Sequence, residues 1–390
     1  MLPLIGSGLG IHTAELGIVL GSFLLGAAVF QLPAGLASLR WGSRRVCLAA
    51  LVVMGSFALA SGFSPDWYVL AALRFGTGAG AALFFAPALG LVATYYPAGT
   101  RGPIFGIYNA GFSAGAAAGI LIGAIIGSAF GWPWALAVGG IGLLVAAAGA
   151  AFALPATAPP AAHRTLPELL QAAAPVLRSR PLWALAFALT GIWAAFYIVA
   201  QYFVYFAASA HPAWSLTLAA SLPTLMIVVE IVGGPIGGIL GERRRDMRQA
   251  LVVFGAPSAL AIVLIPFLPL AGLVAVFVFL GFADGVVFAV LYLIPSYYPE
   301  AEGEGLALAL ALVNCIQIFA GSALAIAFGF IAAGFGYTIA WIFAGAIGVA
   351  TLPLLIWVSG SRPVATSLPR ADGPRSDGSD RRAAASAGEP

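Results

Sequence analysis

Eleven apolar stretches, each cut from the next by a cluster of polar, glycine or proline residues, set the pattern of this chain. They run over 14–37, 46–63, 67–94, 103–128, 132–154, 181–208, 213–240, 249–268, 271–296, 305–331 and 336–358. A hydrocarbon core of about 30 Å takes about 20 residues of α-helix to cross, and every stretch is near that length. The pattern predicts an all-α membrane protein of eleven transmembrane helices. Residues 155–180, with Pro155, Pro159, Pro160, Pro167 and Pro175, interrupt the series. They read as a cytoplasmic linker with a short interfacial helix over 165–174. An N-terminal bundle over 1–154 and a C-terminal bundle over 181–359 lie either side of it, and residues 360–390, rich in Ser, Arg, Asp and Pro, read as a disordered tail.

The arginines test the count, because loops that stay in the cytoplasm keep their basic residues. Arg40, Arg44 and Arg45 follow the first stretch, Arg101 the third, Arg164, Arg178 and Arg180 the fifth, and Arg243, Arg244, Arg245 and Arg248 the seventh. The tail adds five more, and the intervening loops hold none. Every arginine but Arg74 thus falls on one side, which predicts a cytoplasmic C-terminus in a cell membrane.

A repeat runs through the chain. Pro33-Ala34-Gly35 returns as Pro235-Ile236-Gly237 and Tyr95-Tyr96-Pro97 as Tyr297-Tyr298-Pro299, both at an offset of 202. Two parallel halves are a plan found in transporters. Shifting 181–208 back by 202 places its counterpart mostly ahead of residue 1, so the expectation is a twelve-helix plan without its first helix, Met1 to Ile5 being that helix's last turn.

Composition agrees with a lipid setting: 62% hydrophobic and 8% charged residues, against about 25% charged in soluble domains. The net charge of +3 does not suggest a nucleic-acid partner. Cys47 and Cys315 form no metal or disulfide pattern, His12, His163 and His211 fall in separate loops, and no lysine exists to complete a phosphate-binding loop. No cofactor, metal or enzyme chemistry is expected.

Gly35-Leu36-Ala37-Ser38-Leu39-Arg40-Trp41-Gly42-Ser43-Arg44 resembles the loop between the second and third helices of the major facilitator superfamily, with Leu39 where that family usually has aspartate. Gly237 to Arg245 is a looser second copy, with Glu242 the acid near the expected place, and Arg74, Gly76, Gly78 and Gly80 resemble an arginine-and-glycine motif of the fourth helix. The resemblance implies two six-helix bundles around a central cavity, alternating access, and a monomer. It also implies an inner gate fastened by the loops holding Gly35, Arg40, Gly42, Arg44, Arg45, Gly237, Arg243 and Arg244.

Three ionisable groups lie within spans: Arg74, Glu230 and Asp284. A charge at the bilayer centre costs about 2.5 to 3.5 kcal/mol on insertion scales, so such groups face protein or a watery cavity. Arg74 suits an anion and Asp284 a proton, or the two together a zwitterion. Glu230 either carries a proton or pairs with an arginine of the inner gate. Trp193, Tyr197 and Gln201 share a stripe at spacings of four, suited to an organic solute or to ordinary packing. Asp284, Phe288 and Tyr292 make another, while Asn314 and Gln317 sit one turn apart and favour interhelical bonding. Gly111, Gly115, Gly119, Gly123 and Gly127 form a ladder expected to admit a neighbouring helix.

The reading is a secondary carrier of a small organic solute, driven by a proton or solute gradient, with uptake of a metabolite or organic anion ahead of multidrug efflux by proton antiport. A non-transporting sensor or an inactive truncated carrier is the rival.

Overall fold

The computed structural model describes residues 2–11, 13–97, 99–155, 165–243, 246–302 and 305–358. His12, Arg244, Arg245, residues 156–164 of the linker with His163 and Arg164, and the tail lie outside the described residues. The helices are α1 Leu2–Leu9, α2 Thr13–Trp41, α3 Ser43–Ser61, α4 Trp67–Tyr95, α5 Arg101–Phe130, α6 Trp132–Ala153 and α7 Leu166–Leu177. They continue with α8 Arg180–Ala188, α9 Thr190–Ala210, α10 Leu216–Arg243, α11 Arg248–Leu264, α12 Leu270–Leu293, α13 Gly305–Phe335 and α14 Tyr337–Thr351. Among the described residues eleven spans are long and apolar enough to cross a membrane, α8 and α9 together making one of 31 residues. This is the expected number, at nearly the expected bounds.

The repeat is visible in packing. In the first half α4 lies against α2 and α3, and α3 against α6; in the second, α12 lies against α10 and α11, and α11 against α14. Small devices repeat too. Arg44 donates to the carbonyls of Ala151 and Leu154 at the end of α6, at 3.0 to 3.2 Å. Arg248, 204 residues on, donates to the carbonyl of Val358 at 3.1 Å and holds Asp246 at 2.7 Å. A cation at a helix C-terminus satisfies carbonyls that have no partner within the helix. The hydrogen bonds from Arg248 also hold the Asp246 carboxyl below the usual carboxylate range. The turns into α6 and α14 pivot on Gly131 at φ 89 and Gly336 at φ 87, a backbone region that a side chain would strain.

The halves differ in one place. In the second half α8 and α9 pack against α13, and α9 also against α11 and α14. The first half has only α1 in that position among the described residues, packed on α2 and α6. The glycine ladder therefore does not do what its spacing suggests. A Cβ added at Gly111, Gly115 or Gly119 meets nothing within 4 Å, as at Gly139, Gly142 and Gly149 of α6. Gly123 is half-buried and Gly127 buried. Spacing announces that a helix can be approached on that face; only a neighbour makes it a seam.

Linker helix α7 is longer than expected, beginning at a box in which the Glu168 carboxylate accepts from Thr165 N–H at 2.7 Å. Leu169, Ala173 and Val176 form its buried face, and it docks on α2 and α13.

Candidate functional site

The two halves meet along two seams at the arginine-bearing end. On the first, α5 and α10 touch backbone to backbone. A Cβ at Gly238 would lie 1.9 Å from the carbonyl oxygen of Gly102, and one at Gly106 would lie 2.2 Å from that of Gly234. Such closeness is available only to glycine. On the second, α2 lies against α13, with Gly35 against the backbone of Leu308 and the Cys315 thiol 3.7 Å from the carbonyl of Ala28.

Glu242 clasps the first seam. Its carboxylate accepts from the Gly102 N–H at the start of α5, at 2.9 Å, and from the Tyr297 hydroxyl at 2.7 Å. Arg101 adds a bond across the halves to the carbonyl of Ser296 at 3.1 Å. This corrects the arginine gate expected from the loops. Arg44 serves its own half, Arg40, Arg45 and Arg243 are exposed, Gly35, Gly42 and Gly237 are buried backbone positions, and Arg244 is outside the described residues. A buried carboxylate at a helix N-terminus holds more tightly than exposed guanidinium groups can. Glu242→Gln removes the charge and keeps the shape. At about 1 kcal/mol for a charge at a helix terminus, it is expected to raise amide exchange over residues 101–106 about fivefold. Unchanged exchange there would count against the clasp.

Deeper in, an aromatic plug joins the halves. Phe85 of α4 meets Tyr292 at 5.4 Å, Phe288 at 6.2 Å and Tyr108 at 5.9 Å between ring centroids. The Tyr292 hydroxyl is 3.0 Å from Asn314 Oδ1 and 3.3 Å from Gln317 Oε1, so these three form a buried bond between α12 and α13. Phe85 carries no signal in the sequence beyond being one phenylalanine among 26.

Glu230 of α10 accepts a hydrogen bond from Asn109 Nδ2 of α5 at 3.1 Å, joining the two halves. Among the described residues no arginine pairs with it, so the pairing with an arginine of the gate is not found. Asp284 precedes Gly285, where an added Cβ would lie 2.6 Å from the Glu230 carbonyl oxygen, so α12 and α10 are in close contact at these two acids. Arg74 packs its guanidinium 5.2 Å from the Phe23 ring, and no ion pair joins it to Asp284. The expected Arg74 and Asp284 couple is therefore two separate features.

At the other end the halves stand apart around a cavity of about 770 Å³. Its walls include Leu24 of α2, Tyr197, Gln201 and Tyr205 of α9, Ser322 of α13 and Tyr337 of α14. No charged side chain lines it. Trp193 stacks on Tyr197 with centroids 5.5 Å apart and planes within 6°, its ring held against Gly321. The predicted stripe is thus one aromatic face beside the cavity.

The profile of the Major Facilitator Superfamily matches residues 1–321. The chain belongs to that superfamily. It is accordingly a multi-pass membrane protein of a family of transporters rather than enzymes. The 4-hydroxybenzoate transporter PcaK of Pseudomonas aeruginosa is 32% identical over 149 residues, 38% of this chain and 33% of that protein. The hexuronate transporter of Bacillus subtilis is 25% identical over 130 residues, 33% of this chain and 31% of that protein. The chain thus spans about a third of the length of the curated relatives it matches. Among solved structures, the E. coli fucose:proton symporter FucP superposes with a TM-score of 0.73 at 14% identity, covering 91% of this chain and 92% of that one. The proton:xylose symporter XylE gives 0.69 at 15% identity, covering 91% and 90%. These likenesses share the fold.

Proposed function

We propose that this chain is a secondary active carrier that takes up a small organic anion by alternating access, aromatic carboxylates foremost, with its arginine-bearing end and C-terminus in the cytoplasm. The observation that carries the reading is one-sided closure: Glu242 and the glycine contacts clasp one end, while the other opens to a tyrosine-walled cavity. A solute ring stacks on the Trp193 and Tyr197 face and Gln201 bonds its polar edge, while Arg74, on Phe23 and outside the cavity lining, is the cation its carboxylate would reach as the solute moves inward. The aromatic acid carried by one curated relative supports this choice, and the uronic acid of another shares the carboxylate.

The test is uptake by proteoliposomes of labelled 4-hydroxybenzoate and of a hexuronate, with ethidium efflux measured alongside. Saturable uptake of the aromatic acid, competed by unlabelled benzoates, is the expected result. Ethidium efflux without carboxylate uptake would replace the reading with drug export. Trp193→Ala is expected to raise KM about tenfold, since an aromatic contact of about 0.5 to 1.5 kcal/mol is lost together with buried ring area. Trp193→Phe should recover most of it.

A further inference from the structure

Asn109 and Ser113 of α5 meet Glu230 of α10 where the halves join, and Asp284 of α12 is next in sequence to Gly285, which packs on the Glu230 backbone. The helices are pressed together there. A Cβ at Gly285 would lie 2.6 Å from the carbonyl oxygen of Glu230, and one at Gly234 would lie 2.7 Å from the carbonyl oxygen of Gly106. Asn109 is 0% and Ser113 2% exposed, whereas both acids are half-buried. Two carboxyl groups therefore keep partial exposure next to an amide and a hydroxyl that are shut away.

Their hydrogen bonding is incomplete. Asn109 spends its Nδ2 on Glu230, and its Oδ1 is buried with no partner. The Ser113 hydroxyl is directed at Glu230 yet forms no well-shaped hydrogen bond. A buried unsatisfied oxygen costs about 1 to 3 kcal/mol, and two sit side by side here. Among the described residues no basic group pairs with the acids. Arg101 is committed to the carbonyls of Tyr96 and Ser296, Arg74 lies on Phe23, and Arg243 is exposed at the far end of α10. The other ionisable groups on these helices are engaged elsewhere: Glu242 with Gly102 and Tyr297, Tyr108 with the carbonyl of Phe85, and Tyr292 with Asn314 and Gln317.

We propose that Glu230, Asp284, Asn109 and Ser113 form a sodium site shared by the two halves. What the cluster lacks is positive charge with a liking for several oxygens at once, which describes a hard cation. A proton would neutralise one carboxylate and, through its single O–H, satisfy at most one of the two unpartnered oxygens. A calcium ion takes six to eight oxygens, a number these groups reach only with both carboxylates bidentate, and its double charge would cancel both acids and hold it fast. A sodium ion draws carboxylate, amide and hydroxyl oxygens together, leaves a residual negative charge that keeps it exchangeable, and ties α5 to α10 and α12. The site goes beyond the proposed uptake of an anion, whose charge the cation would offset on entry.

Binding is read without transport. Thermal unfolding of the purified full chain, at fixed pH and ionic strength, compares sodium chloride with potassium chloride and choline chloride. The expected result is a melting temperature that rises with sodium alone and saturates, together with retention of radioactive sodium. Ser113→Ala, a small change inside α5, should weaken the sodium dependence about tenfold while leaving the melting temperature in choline near that of the parent. Glu230→Gln should abolish the dependence. Equal melting in sodium and choline with no retained sodium overturns the site, as does stabilisation that follows pH and ignores sodium, which would make the cluster a proton carrier. Failure of carboxylate uptake with sodium binding intact would count against the proposed function and leave the site standing.

Discussion

Gly238→Val is expected to lower uptake about a hundredfold while the chain still folds and inserts. The added Cβ would fall 1.9 Å from the Gly102 carbonyl oxygen and 2.4 Å from its carbon, and both belong to a backbone that cannot turn aside. Helices α5 and α10 must then part, Glu242 loses its grip on the start of α5, and the arginine-bearing end stays open. A hundredfold loss corresponds to about 2.7 kcal/mol, well within the cost of such an overlap. Gly149→Ala, where the new atom meets open space, is the matched control and should transport normally. Full uptake by Gly238→Val would mean that closure at this seam is no part of the cycle.

Arg74→Ala should raise KM for a carboxylate by about tenfold to a hundredfold, in line with the roughly 1.5 to 3 kcal/mol of a hydrogen bond to a charged group. The reasoning begins from what the guanidinium lacks. Its described contact is the Phe23 ring, and no acid pairs with it, so a solute carboxylate would be its counter-charge. Arg74→Lys should recover only part of the affinity, because an ammonium has no planar fork to match a carboxylate. An uncharged analogue of the solute should lose nothing on either substitution. If KM for the anion stays unchanged in Arg74→Ala, the arginine is a packing residue on Phe23.

The spans were legible because lipid leaves the backbone one solution, and eleven apolar stretches therefore became eleven helical crossings. The repeat was legible because Pro33 and Pro235, Gly35 and Gly237, and the Tyr-Tyr-Pro pairs recur at one offset, within α2 and α10 and at or just past the ends of α4 and α12. The site was legible only in part. Trp193, Tyr197 and Gln201 share a face by period alone, whichever helix lies opposite. Asn109, Ser113, Phe85 and the contacts of Gly102 with Gly238 acquire meaning only when particular helices meet, and one sequence does not state its partners. The glycine ladder is the reverse case, a strong local period facing a direction that the described chain leaves uncovered. Glu242 stood in view as the acid in a loose second copy of a loop, but its bond to the start of α5 depends on a helix 140 positions earlier.

Leu39 and Glu242 fill corresponding loops with opposite chemistries, and the closed end inherits that inequality. Leu39 is buried among apolar neighbours, whereas Glu242 holds a backbone amide and a phenol. Ionic strength should consequently loosen one edge of the closure, and hydrocarbon-like additives the other.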